Sequence, residues 1–294
     1  MATVSARAAW WLAIRPATLT ASAAPVLVGT GAAWADGAFA AGPALAALVG
    51  ASLLQVGANF ANDVFDFERG ADTEERLGPQ RATQQGWITA AQMKRAMWLA
   101  FAGAMLAGLY LTWVAGWPVM ALGLLSIAAA YLYTGGPKPY GYLGLGDLSV
   151  FVFFGFGAVA GTYYVQAHDV SPLSLWASIP VGALATAILV VNNLRDIETD
   201  RRANKLTLAV RLGDATTRRY YALLLAMAYL VPAYLVLAGH AGAWALLPWL
   251  SLPLAVRLAR RMGSERGLSL NGCLVQTARL EVVFGVLFAL GLAL

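Results

Sequence analysis

Residues 41–66 have the sequence AGPALAALVGASLLQVGANFANDVFD, in which a predominantly apolar run ends directly in amides and carboxylates. A helix needs about 20 mostly apolar residues to cross a bilayer, and the run over 41–62 meets that length. The run lacks the alternation that a barrel strand would show, so a helix is the only plausible spanning element. The stretch therefore predicts a transmembrane helix with a polar end at one membrane surface.

The rest of the chain has the same character. Of its 294 residues, 60% are hydrophobic and 12% are charged, whereas an ordinary soluble domain is about a quarter charged. Nine such helices use about 180 residues, which leaves no room for a separate soluble domain. We expect an all-α polytopic membrane protein with a single domain over residues 1–294. The predicted spans lie near 17–35, 41–62, 92–114, 117–134, 146–168, 173–194, 219–239, 241–259 and 273–293.

The charged residues are concentrated on one side of this predicted topology. The connections after spans one, three, five and seven contain no lysine or arginine. All but one of the 20 basic residues lie at the N-terminus and near the other connections. The positive-inside rule then places the N-terminus and these connections in the cytoplasm and the C-terminus outside. The exception, Arg279, lies in the ninth span with Glu281, and we expect both to point inward.

Two classes of partner or site are excluded by composition. The net charge is +5, but the basic residues are spread over many connections and form no nucleic-acid-binding motif, so we expect no nucleic-acid partner. A single cysteine, Cys273, excludes both an internal disulfide and a cysteine-based metal site.

The first acidic cluster closes the second span. If the helix continues through it, the spacings of three and four residues place Asn59, Asn62, Asp63 and Asp66 on one face. The C-terminal end of a helix disfavours negative charge, so two carboxylates there call for a cation. Hard oxygen ligands of this kind are typical of a Mg²⁺ site.

A second cluster, NNLRDIETDRR at 192–202, closes the sixth span. Asn192, Asp196 and Asp200 recur every four residues, which predicts a second helix face with an amide and two carboxylates. We expect Asp63, Asp66, Asp196 and Asp200 to bind Mg²⁺ that bridges to a diphosphate, and these four are the predicted catalytic residues. The cations expected to hold the remaining phosphate oxygens are Arg69, Arg76, Arg81, Lys138, Arg195 and Lys205. A site that opens into a membrane suits a lipid diphosphate.

Five stretches carry a family resemblance. They are NDVFDF at 62–67, RLGPQRATQQG at 76–86, YTGGPKPYGYLGLGD at 133–147, NNLRDIETDR at 192–201 and KLTLAVRLG at 205–213. Over nearly its whole length the chain resembles the UbiA superfamily of intramembrane aromatic prenyltransferases, and in particular its naphthoate-prenylating branch. The superfamily pattern has an aspartate four residues after Asp66, where this chain has Gly70, with Asp72 two residues further on.

The resemblance implies a fold, a reaction and a location. It implies nine helices around a central cavity in the cell (inner) membrane. It also implies Mg²⁺-dependent transfer of a polyprenyl group from a polyprenyl diphosphate to 1,4-dihydroxy-2-naphthoate, with loss of CO₂ and diphosphate, giving demethylmenaquinone for menaquinone biosynthesis. With it, the predicted substrate-binding residues are Asn59, Asn62, Arg69, Asp72, Arg76, Arg81, Tyr131, Lys138, Asn192, Asn193, Arg195 and Lys205.

The sequence leaves alternative acceptors and alternative functions open. Within the same superfamily the aromatic acceptor could be 4-hydroxybenzoate, homogentisate or a tetrapyrrole. From a different class, a lipid-diphosphate transporter would place polar groups near the bilayer midplane and on both sides. A lipid-diphosphate phosphatase would need a base such as histidine on the cytoplasmic side, whereas His168 and His240 both fall on the outer side. The sequence leaves the prenyl length and the oligomeric state open.

Overall fold

The computed structural model of the chain describes residues 4–71 and 77–294. Within these ranges every regular element is helical and no strand occurs, which confirms the predicted all-α class. Two predicted binding residues, Asp72 and Arg76, lie outside the described residues.

Thirteen α-helices follow one another along the described chain. They are α1 Ala6–Ile14, α2 Pro16–Ala35, α3 Ala41–Glu68, α4 Ala90–Ala115, α5 Trp117–Leu132, α6 Gly146–Val150, α7 Gly161–Ala167, α8 Pro172–Arg195, α9 Ile197–Arg202, α10 Leu208–Leu212, α11 Asp214–Leu237, α12 Leu252–Ser264 and α13 Leu270–Ala293. A π-helical stretch, Phe151–Ala160, joins α6 to α7. Short 3₁₀ helices cover Tyr140–Leu143, Ala243–Ser251 and Gly267–Ser269.

Local sequence signals explain where several helices begin. Pro16 opens α2 directly after Arg15, whose backbone is left-handed with φ of 53°, and proline favours the first turn of a helix because its missing N–H is not needed there. Thr89 and Gln92 form a capping box at the start of α4, in which each side chain satisfies an otherwise unpaired backbone N–H.

The lengths and apolar composition of the helices are those of a multi-pass membrane protein. Six helical stretches of the described chain are long and apolar enough to cross a bilayer, and α1 with α2 gives a seventh that is bent by 45°. The six are Ala41–Glu68, Ala90–Ala115, Gly146–Ala167, Pro172–Arg195, Asp214–Leu237 and Gly267–Ala293. These stretches correspond to seven of the nine predicted spans.

The count of nine spans is not confirmed, because two predicted spans differ from a full-length apolar helix. The span at 117–134 is α5, which has 16 residues. The span at 241–259 is divided between the 3₁₀ helix Ala243–Ser251 and α12. Pro248 and Pro253 lie in these two elements, and proline has no N–H to continue a regular α-helical ladder.

The apolar side chains form two main buried clusters. The larger one joins α2, α7, α8, α11, α12 and α13, and the smaller one joins α1, α3 and α4. Small residues allow close contact within the larger cluster, because a Cβ atom on Gly182 would lie 2.7 Å from the backbone oxygen of Phe151. The helix α3 ends at the first acidic motif and α8 at the second, so each motif closes a helix of a different cluster.

The two charged residues of α13 face different surroundings. Glu281 is buried, as predicted, whereas Arg279 is exposed. Burial therefore supports the prediction of an inward-pointing side chain for Glu281 alone. Residues two apart on a helix are separated by about 200° around its axis, so one helix face cannot carry both.

Candidate active site

Asp63 is held by the backbone of a neighbouring loop. Its two carboxylate oxygens accept hydrogen bonds from the N–H groups of Ala82, at 3.1 Å, and Thr83, at 3.0 Å. The residue is 1% exposed. Buried carboxylates need such donors because burial removes the water that would otherwise solvate them. The loop around 82–83 therefore fixes the Asp63 carboxylate at the end of α3.

Asp66, one turn further along α3, receives donors from three separate segments. The hydroxyl of Tyr142 donates to Oδ1 at 2.8 Å. The guanidinium of Arg81 and the ammonium of Lys205 lie 3.3 Å and 3.6 Å from Oδ2. This carboxylate therefore joins α3 to the loop before α4, to the 3₁₀ helix Tyr140–Leu143 and to the segment after α9.

The second motif does not form one continuous helix. The helix α8 ends at Arg195, Asp196 is its C-cap, and α9 begins at Ile197. The continuous helix predicted for this motif is therefore broken at Asp196, although the N–H of Asp196 still bonds the backbone oxygen of Asn192 at 3.2 Å and that of Asp200 the oxygen of Asp196 at 2.8 Å. Neighbouring side chains on a helix point in different directions, and the pairing of Arg195 with Asp196 coincides with this break.

Arg195 makes a paired contact with the carboxylate that follows it. Its Nε and Nη2 donate to the two oxygens of Asp196 at 2.8 Å and 2.5 Å. Its other contacts are the side-chain oxygens of Asn192 and Asn271, each at 2.8 Å. The Arg195 side chain is 1% exposed, and a buried guanidinium requires such acceptors. Arg195 thus fixes Asp196 as the loop backbone fixes Asp63.

Lys205 connects the two motifs. Its Nζ lies 3.6 Å from Asp66 Oδ2 and 3.9 Å from Asp200 Oδ1, and 5.2 Å from the centre of the Tyr142 ring. One ammonium therefore lies between a carboxylate of α3 and a carboxylate of α9. The structure confirms that the two motifs meet, through Asp66 and Asp200.

The donor set suits a divalent cation that is shared with a phosphate ligand. In the part of the chain that the structure describes, no three His, Cys, Asp or Glu side chains lie close enough to hold a metal by themselves. However, Mg²⁺ is commonly held by one or two carboxylates together with substrate phosphates and water. Asp66 and Asp200 supply such a pair, and a cation already lies between them. Metal ligation by Asp63 and Asp196 stays a prediction.

Other predicted residues hold the connection between α5 and the 3₁₀ helix Tyr140–Leu143. Arg69 donates through Nε to the backbone oxygen of Thr134 at 3.1 Å and through Nη2 to that of Gly136. The hydroxyl of Thr134 donates to Asn62 Oδ1 at 3.0 Å. The hydroxyl of Tyr140 donates to the backbone oxygen of Ala129 at 2.8 Å, and burial raises the pKa of this hydroxyl. Lys138 is exposed on the same loop.

Three predicted binding residues lie in the packing around the site. Asn59 donates through Nδ2 to the backbone oxygen of Ile14 at 2.9 Å and to Thr18 Oγ1 at 2.8 Å, at the break between α1 and α2. The ring of Tyr131 stacks on that of Trp98, with centroids 5.6 Å apart, and meets Phe65 edge-on. Asn193 is buried near the end of α8.

The residues predicted from the sequence did not include four contributors to the site. Tyr142, whose hydroxyl donates to Asp66, belongs to the motif at 133–147, so this motif was the signal that could have identified it. Asn271 binds Arg195 and also donates to the backbone oxygen of Leu77 at 3.0 Å, and no spacing in the sequence points to it. The backbone N–H groups of Ala82 and Thr83 cannot be recognised from residue type.

The chain is similar to known proteins over nearly its whole length. It is 42% identical to the 1,4-dihydroxy-2-naphthoate octaprenyltransferase of Escherichia coli (strain K12), over 99% of this chain and 97% of that protein. The protein of the same name from Mycobacterium tuberculosis (strain ATCC 25618 / H37Rv) is 47% identical over 88% of each chain.

A solved structure and a family profile agree with these relatives. The fold matches a UbiA homolog from Archaeoglobus fulgidus bound to GPP and Mg²⁺, with a TM-score of 0.68, 14% identity, and 97% of this chain and 99% of that chain covered. The profile of the UbiA prenyltransferase family matches residues 22–267. The resemblance drawn from the motifs is thereby confirmed, and this chain belongs to the UbiA prenyltransferase family.

Proposed function

We propose that the chain transfers the polyprenyl group of a polyprenyl diphosphate to 1,4-dihydroxy-2-naphthoate, with loss of CO₂ and diphosphate, in menaquinone biosynthesis. The two bacterial relatives that bear this activity in their names support the choice of acceptor. The structural observation that carries the proposal is the convergence of Asp66 and Asp200 on one cation. Such a centre suits an anionic leaving group at the end of an apolar bundle.

Asp66 and Asp200 are the residues that would hold Mg²⁺ together with the diphosphate. When bound there, Mg²⁺ would neutralise the leaving group and polarise its bond to the allylic carbon. Lys205 and Arg81 add positive charge beside the same carboxylates, and charged N–H donors bind phosphate oxygens strongly. Tyr142 keeps the Asp66 carboxylate oriented through its hydrogen bond.

The bond changes proposed at this centre balance without a covalent enzyme intermediate. The allylic C–O bond breaks, and its electron pair leaves with diphosphate. The ring carbon that carries the carboxylate forms the new bond to the allylic carbon. The carboxylate then leaves as CO₂, and the electron pair of its C–C bond restores the aromatic ring, which gives the quinol form of demethylmenaquinone. The apolar helices keep water away from the allylic cation during these steps.

An acceptor panel tests this proposal. The purified protein, Mg²⁺ and a labelled polyprenyl diphosphate are incubated with 1,4-dihydroxy-2-naphthoate, 4-hydroxybenzoate and homogentisate in separate reactions. We expect label in the naphthoate product alone, and a product mass that lacks the carboxylate. Transfer to another acid would identify a different acceptor, and a product that retains the carboxylate would contradict the decarboxylating step. Asp200→Asn serves as the inactive control.

We further propose an orientation in the inner membrane, with the N-terminus and the aspartates facing the cytoplasm and the C-terminus outside. The distribution of basic residues supports it. At the other end of the bundle, Tyr163 donates to Asp36 Oδ2 at 2.6 Å, away from these basic connections.

Cysteine labelling can test this orientation, because Cys273 is the chain's only cysteine and Cys273→Ala provides a background without thiols. Lys138→Cys and Asp169→Cys then each place one thiol at an exposed position. In intact cells we expect an impermeant thiol reagent to reach position 169 and not position 138. The reverse pattern would contradict the proposed orientation.

A further inference from the structure

A groove runs along the outside of α12 and the 3₁₀ helix that precedes it. It has a volume of about 610 Å³ and is lined by Trp249, Leu252, Pro253, Val256, Arg257, Arg260 and Arg261. The apolar residues are accessible, since Trp249 is 44% exposed and Val256 is 42% exposed. The opposite face of α12, with Ala255, Leu258 and Met262, is buried against the bundle. The groove therefore lies on the outward-facing side of α12, and the residues that line it change from apolar to basic along its length.

The basic end of the groove carries charge that the protein does not neutralise. Arg261 pairs with Glu265, with Nε 2.5 Å from Oε1. Arg257 and Arg260 are exposed and make no ion pair with any described acidic residue. Some arginines elsewhere on this face are neutralised within the protein, since Arg195 pairs with Asp196 and Arg218 with Asp214. Two adjacent guanidinium groups thus remain available at the end of an apolar groove.

Contacts of α12 place this basic end at the membrane surface that bears the aspartates. Arg218 donates to the backbone oxygen of Met262, near the end of α12. Arg266, just beyond α12, lines a cavity together with Arg195 and Leu270. The apolar end, at Trp249 and Leu252, therefore lies deeper in the membrane than the arginines.

We propose that this groove binds an anionic phospholipid of the surrounding bilayer. Its phosphate would lie between Arg257 and Arg260, because the planar fork of a guanidinium matches phosphate oxygens. One acyl chain would lie along Val256, Leu252 and Trp249. Basic residues close to a membrane surface attract anionic lipids. A zwitterionic phospholipid gains less from the two arginines because it carries no net charge.

The groove is separate from the proposed reaction centre. The helix α12 packs against α11, α13 and the 3₁₀ helix Ala243–Ser251, whereas Asp66 and Asp200 belong to α3 and α9. The inference therefore does not depend on the proposed function.

Native mass spectrometry of the purified full-length chain tests the proposal. The probes are phosphatidylglycerol and phosphatidylcholine with the same acyl chains, each titrated in detergent. We expect one phosphatidylglycerol to bind the wild-type chain in preference to phosphatidylcholine. The variant with both Arg257→Gln and Arg260→Gln should bind phosphatidylglycerol about 30-fold more weakly, since each basic residue contributes about 1 kcal/mol.

A matched variant separates the groove from general charge. Arg95→Gln with Arg219→Gln removes the same charge from two other exposed arginines, and we expect it to bind phosphatidylglycerol like the wild type. An equal loss in both double variants, or equal binding of both lipids by the wild type, would overturn the proposal. So would displacement of phosphatidylglycerol by equimolar geranylgeranyl diphosphate, which would assign the groove to a prenyl diphosphate. The wild-type comparison needs no variant to fold.

Discussion

The two acidic motifs restrain their first aspartate by different means. At the end of α3, Asp63 accepts hydrogen bonds from the backbone N–H groups of Ala82 and Thr83. After α8, Asp196 is paired with the guanidinium of the residue before it, Arg195. The second aspartates behave alike, because Asp66 and Asp200 both lie within 4.0 Å of the Lys205 ammonium.

The difference shows that the two motifs are chemically parallel without being structurally equivalent. Asp63 and Asp66 belong to one unbroken helix, whereas Asp196 lies at a break between α8 and α9. Backbone donors survive most side-chain substitutions, but the donor to Asp196 is a side chain and can be removed. Substitutions of the residues that restrain Asp63 and Asp196 should therefore have unequal effects. Substitutions of Asp66 and Asp200, where the two motifs meet, should have equal effects.

The largest expected effect is on stability, at Arg195. Arg195→Gln leaves the buried Asp196 without its cation, and removing one partner of a buried pair costs about 3–5 kcal/mol of the free energy of unfolding. Chemical unfolding in detergent micelles measures this loss. Adding Asp196→Asn to Arg195→Gln should restore part of the stability, because the unpaired charge is gone.

A matched control uses an exposed ion pair of the same motif. Arg201 pairs with Glu198 at 2.9 Å, with side chains 50% and 66% exposed. Arg201→Gln should cost less than about 1 kcal/mol of the free energy of unfolding. Equal losses in Arg195→Gln and Arg201→Gln would show that the Arg195–Asp196 contact does not carry the stability of the second motif.

The next effect is on activity, where the motifs meet. Asp66→Asn and Asp200→Asn should each lower kcat by about 10²–10³-fold, the usual cost of removing one preorganised electrostatic group. Since both serve one centre, the double variant should be little worse than either single variant. Single-turnover prenyl transfer measures these rates, with gel filtration as the check on folding. Losses that multiply in the double variant would indicate two independent sites.

A smaller effect separates Asn59 from its counterpart in the second motif. Asn192 accepts from Arg195, whereas Asn59 holds the break between α1 and α2 through two hydrogen bonds. Asn59→Ala should cost about 2 kcal/mol of the free energy of unfolding, at about 1 kcal/mol for each bond. The KM for polyprenyl diphosphate should stay within about twofold of the wild-type value, which is a small change when it is converted to free energy. A raised KM with unchanged stability would instead support substrate binding by Asn59.

The smallest expected effect is at Lys205, which both motifs share. Lys205→Met removes a positive charge beside Asp66 and Asp200, which should strengthen their attraction for a divalent cation. A unit charge at this distance is worth at least about 1 kcal/mol, so we expect the half-saturating Mg²⁺ concentration to fall about tenfold. Isothermal titration of Mg²⁺ in the absence of diphosphate measures the change, because Lys205 then competes with Mg²⁺ for the carboxylates and holds no phosphate, with Lys205→Arg as the charge-conserving control. A higher Mg²⁺ requirement in Lys205→Met would contradict a competing ammonium.

Much of the fold could be predicted from residue type and spacing. The span predicted at 41–62 corresponds to α3, and that at 173–194 corresponds to α8, because long apolar runs directly report bilayer burial. The secondary structure of segment 241–259 was harder to predict, since apolar composition does not distinguish an α-helix from a 3₁₀ helix. Its prolines were the available signal.

The candidate site was predictable in its residue types and less so in its connections. The helical spacing rule describes α3 correctly, so Asp63 and Asp66 were well placed. The rule does not describe the break at Asp196, where α8 ends and Arg195 contacts both Asp196 and Asn271. The position of Lys205 between the motifs follows from the turn after α9, which has no periodic signature.

The backbone hydrogen bonds to Asp63 have a consequence for how this chain can vary over evolution. Any residue except proline supplies the N–H that positions 82 and 83 donate. Since both residues are buried, variation there is limited by side-chain volume and by the cost of burying an unpaired polar group, and not by the need for a particular donor. At position 195, by contrast, a guanidinium is required, so the second motif tolerates far fewer replacements. Lineages could thus exchange the residues at 82 and 83 for others of similar size and keep the Asp63 carboxylate in place.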